Sequence, residues 1–195
     1  VCTSIQRLYV ERAIVEDVRD RLVEALAPLS AGDPRAPGTF VGPLITLADA
    51  ERVEQWIEEA LTAGARRLLG GPRVGSVVPP TVLLDVPPEC RIFSREVFGP
   101  VINLVSFDDL EAAMAEANAT RYGLTAGIFT ASLDRAMAAA CRMRVGTVHV
   151  NETCSARVDQ MPSGGVRDSG MGREGPRYAI EEMTEERLIT VNPSA

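Results

Sequence analysis

VINLVSFDDLEAAMAEANATRYGLTAGIFT, residues 101–130, changes hydrophobic periodicity twice. Val101 to Phe107 is a bounded run rich in β-branched, aliphatic and aromatic residues, the composition of a strand. Beyond the polar pair Asp108 and Asp109, Leu110, Ala113, Met114 and Ala117 recur at three- and four-residue intervals, which marks one face of a helix. Leu124 to Thr130 then reads as another strand. Strand, helix and strand in this order predict a βαβ crossover, and such crossovers build parallel sheets covered by helices.

Working outward, the alternation continues in both directions. Upstream, Ile5 to Val10 reads as a strand, and Ile14, Val18, Leu22, Ala25, Leu26 and Leu29 form a helical stripe. A polar loop, SAGDPRAPGTFVGP, follows. Thr46 with Asp49 three residues on predicts a capped helix start, and Val53, Ile57 and Leu61 mark the buried face of a helix that stops at Gly64. Arg67 to Leu69 and Thr81 to Val86 complete the upstream strands. Downstream, Leu133 to Met143 reads as a helix and Gly146 to Asn151 as a strand. The fold class is therefore α/β, a mainly parallel sheet with helices on both faces.

After Asn151 the chain becomes a long Gly-rich polar loop, ETCSARVDQMPSGGVRDSGMGREG, of a length that in a compact domain usually serves function. Arg177 to Met183 can form a short helix. Leu188 to Val191 reads as a terminal strand without a partner in the sequence, an edge that another segment or subunit would cover.

Composition narrows the function. With 195 residues, 46% hydrophobic and 24% charged, the chain can bury a real core, and no run reaches the about 18 apolar residues of a membrane span. A net charge of −7 argues against nucleic acid as a partner. All 20 basic residues are Arg, so this segment offers no primary amine for a Schiff base or a phosphate-loop lysine. Cys2, Cys90, Cys141 and Cys154 are scattered, without a C-x-x-C pair, which points to no metal site and to no disulfide scaffold. A reducing cytoplasm is the expected compartment.

GMGREG, residues 170–175, has the spacing of a dinucleotide-binding fingerprint but lacks its context. No hydrophobic strand runs into these glycines and no room for a βαβ unit follows, so they read as a tightly folded loop. His149 is the one histidine. Alternation in GTVHVN sets Thr147, His149 and Asn151 on one strand face and Val148 and Val150 on the other, and a structural role is favoured over a Cys–His dyad. Cys90, Cys141 and Cys154 read as small hydrophobes, with Cys154 a candidate second redox thiol because it enters the long loop.

Five motifs occur in register: VCTSIQR at the start, REVFGPV at 95–101, YGLTAGIFT at 122–130, GTVHVN at 146–151 and MPSGGVRDSGMGREG at 161–175. Together they resemble the catalytic domain of the NAD(P)-dependent aldehyde dehydrogenase superfamily, over essentially the whole chain. In motif the sequence is most similar to the branch acting on lactaldehyde and other small aldehydes. In that family the nucleophile ends a Gly-Gln-x-Cys stretch, and Val1-Cys2 matches its last two positions.

The resemblance implies Cys2 as catalytic nucleophile, Glu96 at the ribose hydroxyls of NAD or NADP, and Phe98 beside the nicotinamide. The backbone N–H of Cys2 would share in an oxyanion hole. Val1, Asn151 and Arg157 become substrate-site candidates, Arg157 because a guanidinium suits an anionic tail. Val1 stands where phosphate-handling members often carry Arg. By the same resemblance residues 1–184 form the catalytic domain, expected to be cut just upstream of the nucleophile, and 185–195 an oligomerisation arm. The general-base Glu, the oxyanion Asn and most of the cofactor site would lie in sequence before Val1. The reaction implied is oxidation of a small aldehyde to an acid in a homodimer or homotetramer, the isolated chain being inactive. A CoA-acylating relative and a non-catalytic assembly domain are the alternatives.

Overall fold

The computed structural model describes residues 1–193. In chain order its regular elements are β1 (Arg7–Glu11), α1 (Val15–Leu26), β2 (Ser30–Ala31), β3 (Thr39–Val41), α2 (Leu47–Thr62), β4 (Arg66–Leu69) and β5 (Thr81–Leu84). There follow α3 (Arg91–Ser94), β6 (Val101–Phe107), α4 (Leu110–Asn118), β7 (Thr125–Ile128), α5 (Leu133–Arg142), β8 (Thr147–Val150) and α6 (Pro176–Met183). The backbone clusters into two compact units, Val1–Ala119 and a second beginning at Thr120.

The first unit is built on a four-stranded sheet ordered β1-β6-β5-β4. β6 runs parallel to β1 and β5, and only β4 is antiparallel. Strands that are covered on both faces should be apolar throughout, and β5, Thr-Val-Leu-Leu, is buried at every position. Successive strand side chains point to opposite faces. Leu83 and Val101 accordingly pack with Ala50, Val53, Ile57 and Ala60 of α2 and with Ile92 and Phe93 of α3. On the other face Leu84, Leu104 and Val10 meet Val15 and Val18 of α1. Helices thus cover both faces of a mainly parallel sheet, as the periodicity predicts.

Local signals hold at the ends of α2. The Asp49 backbone N–H donates to Thr46 Oγ1 at 3.1 Å, and the Thr46 hydroxyl donates in turn to Asp49 Oδ2 at 2.6 Å. The helix ends at Ala63, and Gly64 follows with φ +105°, the left-handed conformation that stops helices. Within the loop after α1, β2 and β3 form a small parallel ladder that the polar composition does not announce. The single turn of α3 is likewise absent from the sequence reading; at four residues it is too short to show periodicity.

The second unit has a two-stranded parallel sheet, β7 and β8, with α5 between them in sequence. Its register pairs Gly127 with His149. Ser132 caps α5 by accepting the Arg135 N–H at 3.3 Å. The boundary between the two compact units falls after Ala119. Residues 184–193 carry neither helix nor strand, so the expected strand at Leu188–Val191 is not formed within this chain. A strand requires a ladder partner, and these exposed residues have none among the described residues. Ser194 and Ala195, the end of the expected arm, lie outside the described residues.

Candidate active site

Cys2 sits on a turn closed by the Ser4 N–H donating to the Val1 carbonyl at 3.0 Å, and both Val1 and Cys2 are exposed. An accessible thiol is the first requirement of a nucleophile. Four residues on, Gln6 joins this segment to the loop carrying Glu96 and Phe98. Its Nε2 donates to the carbonyls of Arg95 at 2.5 Å and Ile92 at 3.3 Å, while its Oε1 accepts the Val97 N–H at 3.0 Å. The Gln6 carbonyl accepts from Asn103 through both its backbone N–H at 2.8 Å and its Nδ2 at 3.2 Å.

The loop itself is held from beneath. Val97 is buried, and its carbonyl accepts from Arg52 Nη2 at 3.0 Å. Glu96 and Phe98 flank this anchor and are exposed. Phe98 has φ +50°, which for a bulky side chain costs of the order of 1–2 kcal/mol and persists only where the surroundings impose it. The exposed Glu96 carboxylate can accept hydrogen bonds from hydroxyl groups, and the exposed Phe98 ring offers an apolar face.

Two residues of this arrangement, Gln6 and Asn103, escape the sequence reading. Asn103 offered a signal: a polar residue within VINLVSF. It is fully buried, its Nδ2 also donates to the Ile92 carbonyl at 2.9 Å, and its Oδ1 has no partner. Gln6 gave none, because its partners lie 86 to 91 residues away.

The remaining candidates belong to the second unit. Asn151 stands at the end of β8 with φ +55°, a conformation asparagine tolerates. Its Oδ1 accepts the Thr130 N–H at 2.8 Å and its own N–H donates to the Ile128 carbonyl at 2.7 Å, so it ties the ends of β7 and β8 together. Arg157, about half exposed, pairs with Glu174 at 2.9 Å. His149 is buried on its strand. Burial pushes the Cys154 and Cys90 thiols up, away from the thiolate form.

The GMGREG glycines adopt left-handed conformations at Gly170, Gly172 and Gly175, and an isolated bridge between Ser163 and Glu174, not a strand, leads into α6. The segment is a folded loop. Gly146 shows why small residues are needed nearby: a Cβ there would stand 1.7 Å from the Gly164 carbonyl oxygen. Among the described residues no cluster of three or more His, Cys, Asp or Glu side chains could hold a metal, and no helix is long and apolar enough to cross a membrane. A cleft of about 210 Å³ lined by Glu54, Glu58, Arg67 and Arg73 contains none of the candidate residues.

The first unit is thus an α/β fold in which Gln6 ties an exposed cysteine segment to an exposed acidic and aromatic loop. Residues 1–189 match the aldehyde dehydrogenase family, and the chain belongs to it. It is 45% identical over 192 residues to the 3-sulfolactaldehyde dehydrogenase of Priestia aryabhattai, covering 98% of this chain and 40% of that protein. Aldehyde dehydrogenase 21 from Physcomitrella patens, solved with the reaction product succinate, superposes with TM-score 0.92 and 41% identity over 95% of this chain and 38% of its own. The glyceraldehyde-3-phosphate dehydrogenase GapN of Methanocaldococcus jannaschii, complexed with NADP, gives 0.89 and 37% over 94% and 40%. The chain therefore spans about two fifths of the relatives it matches.

Proposed function

We propose that this chain is the catalytic portion of an NAD(P)-dependent aldehyde dehydrogenase in which Cys2 is the nucleophile. The observation that carries the reading is the Gln6 junction, which ties the Cys2 segment to the Glu96–Phe98 loop in a chain of this family. The Cys2 thiolate adds to the aldehyde carbon, and the developing alkoxide is stabilised in part by the Cys2 N–H. NAD(P)+ supplies the two-electron hydride acceptor. Loss of hydride from the former aldehyde carbon leaves a thioester on Cys2. Water then cleaves the C–S bond, releasing a carboxylic acid and the Cys2 thiolate, with one proton going to solvent. Glu96 holds ribose hydroxyls as an acceptor, and Phe98 offers its face to the nicotinamide.

The substrate is a small aldehyde bearing an anionic tail. The named relatives act on sulfonated or phosphorylated aldehydes or were solved with a dicarboxylate, and Arg157 supplies a two-point anion partner once it exchanges Glu174 for the tail. Val1 and Asn151 are the further substrate-site candidates. The residues 185–195 act as an oligomerisation arm in a homodimer or homotetramer, where a partner's edge supplies the missing ladder. A catalytic free thiol persists best in the reducing cytoplasm.

The test is a Cys2→Ala exchange in the full-length enzyme that contains this chain. Aldehyde-dependent NAD(P)H formation is expected to fall by at least about 1,000-fold with folding intact. Retained turnover overturns the reading, as does aldehyde oxidation by the 195-residue chain alone.

A further inference from the structure

Gln6 uses every polar atom of its side chain on one loop. Its amide nitrogen donates to two carbonyls, those of Ile92 and Arg95, and its amide oxygen accepts the Val97 N–H. Glu96 lies between the two clamped residues Arg95 and Val97, and Phe98 follows immediately. The other end of Gln6 is equally fixed, because Asn103, buried in β6, donates twice to the Gln6 carbonyl. Few side chains can replace it: a carboxylate cannot donate to the two carbonyls, an aliphatic chain bonds to none of the three, and Asn is one methylene short.

We infer that Gln6 is a positioning residue that sets the Glu96–Phe98 loop relative to the Cys2 segment, so that cofactor placement depends on it while the reactivity of the thiol does not. This rests on the function proposed above. Without the clamp, Arg52 still holds the Val97 carbonyl and Asn103 still bridges the Gln6 and Ile92 carbonyls, so the loop stays attached, but Arg95 and Val97 on either side of Glu96 lose their direct hydrogen bonds to the nucleophile side. The consequence is selective. Cofactor binding and hydride loss suffer, and addition of thiolate to an electrophile is spared.

The experiment uses Gln6→Leu, Gln6→Glu and Cys2→Ala in the full-length enzyme. Gln6→Leu removes three hydrogen bonds with little change of volume; KM for NAD(P)+ is expected to rise and kcat to fall, each by roughly tenfold. KM for the aldehyde and the cofactor-free alkylation of Cys2 by iodoacetamide should stay within about twofold of the parent. Gln6→Glu keeps the acceptor for the Val97 N–H and should give a smaller rise in the same cofactor KM, which also carries the test if the leucine variant does not fold. Cofactor KM and kcat unchanged in the leucine variant, or in the glutamate variant where it stands alone, overturn the inference. So does a parallel loss of Cys2 alkylation and thermal stability, the mark of a merely structural role. An inactive Cys2→Ala enzyme beside an unaffected Gln6→Leu enzyme sinks the positioning role alone; an active Cys2→Ala enzyme sinks the proposed function.

Discussion

The two units of this chain hold their candidate residues by different means. In the first, Glu96 and Phe98 stand on a loop whose neighbours Ile92, Phe93 and Val97 are buried in a core shared with α2 and β5. In the second, Asn151 and Arg157 are held by backbone hydrogen bonds, glycine conformations and exposed ion pairs. Among the described residues, all the buried apolar side chains except Ala136 and Ala139 belong to the first unit. Phe129, Leu133 and Met137 of the second are exposed. A core fixes side chains by excluded volume, whereas a polar network fixes them only as long as each partner stays in place. The residues proposed to handle the cofactor therefore sit on the unit with the apolar core, whereas the substrate candidates Asn151 and Arg157 sit on the unit held by polar contacts and Val1 belongs to the first.

The sharpest way to break this contrast is a pair of truncations. Ile92→Ala opens a cavity in the first core and should cost about 2–5 kcal/mol. Met137→Ala, on an exposed face, should change stability by less than about 0.5 kcal/mol. Denaturant midpoints of the two variants decide the matter, and equal costs would mean that the units do not differ in this way.

A smaller effect comes from the second unit's own constraint. In Gly146→Ala the new methyl collides with the Gly164 carbonyl, so the backbone must shift. The expected cost is about 1–3 kcal/mol, in the range of overpacked sites. Limited proteolysis should show faster cleavage within residues 152–175 with no change before Thr120. Unchanged cleavage of that loop would show that its packing is not what orders it.

The smallest effect is electrostatic and confined to the first unit. The Thr46 hydroxyl holds the Asp49 carboxyl below its usual 3.8, and Arg91 holds Glu59 below its usual 4.5. Groups whose folded pKa is depressed contribute stability above the unfolded value and lose it as pH falls through the lower folded value. Both carboxylates are solvent-screened, so urea midpoints should decline only gently below about pH 4.5, and Arg91→Ala should flatten the part due to Glu59. A first unit that gained stability on acidification would contradict these assignments.

Much of the fold was legible because its cues are local. Val101 to Phe107 is a strand at its read boundaries, the Thr46–Asp49 cap forms, and the helix it starts ends before Gly64. The long loop after Asn151 is also where it was expected. The small β2–β3 ladder and α3 were not, since elements of two to four residues are too short for periodicity to register. The terminal strand was read from composition alone, and composition cannot supply a partner.

Cys2, Glu96 and Phe98 could be named as candidates because five motifs in register resemble the aldehyde dehydrogenase family. What joins them could not be named, because Gln6 meets Arg95 across 89 residues and an amide in a sequence carries no sign of the carbonyl it will find. Sequence alone determined the types of the longer elements, which follow from periodicity, and the candidate residues, which follow from motifs and functional groups. Only the tertiary structure decided which distant backbone atoms lock the Glu96–Phe98 loop to the Cys2 segment, and that Arg157 is paired with Glu174, since both depend on contacts that exist only after the chain has folded.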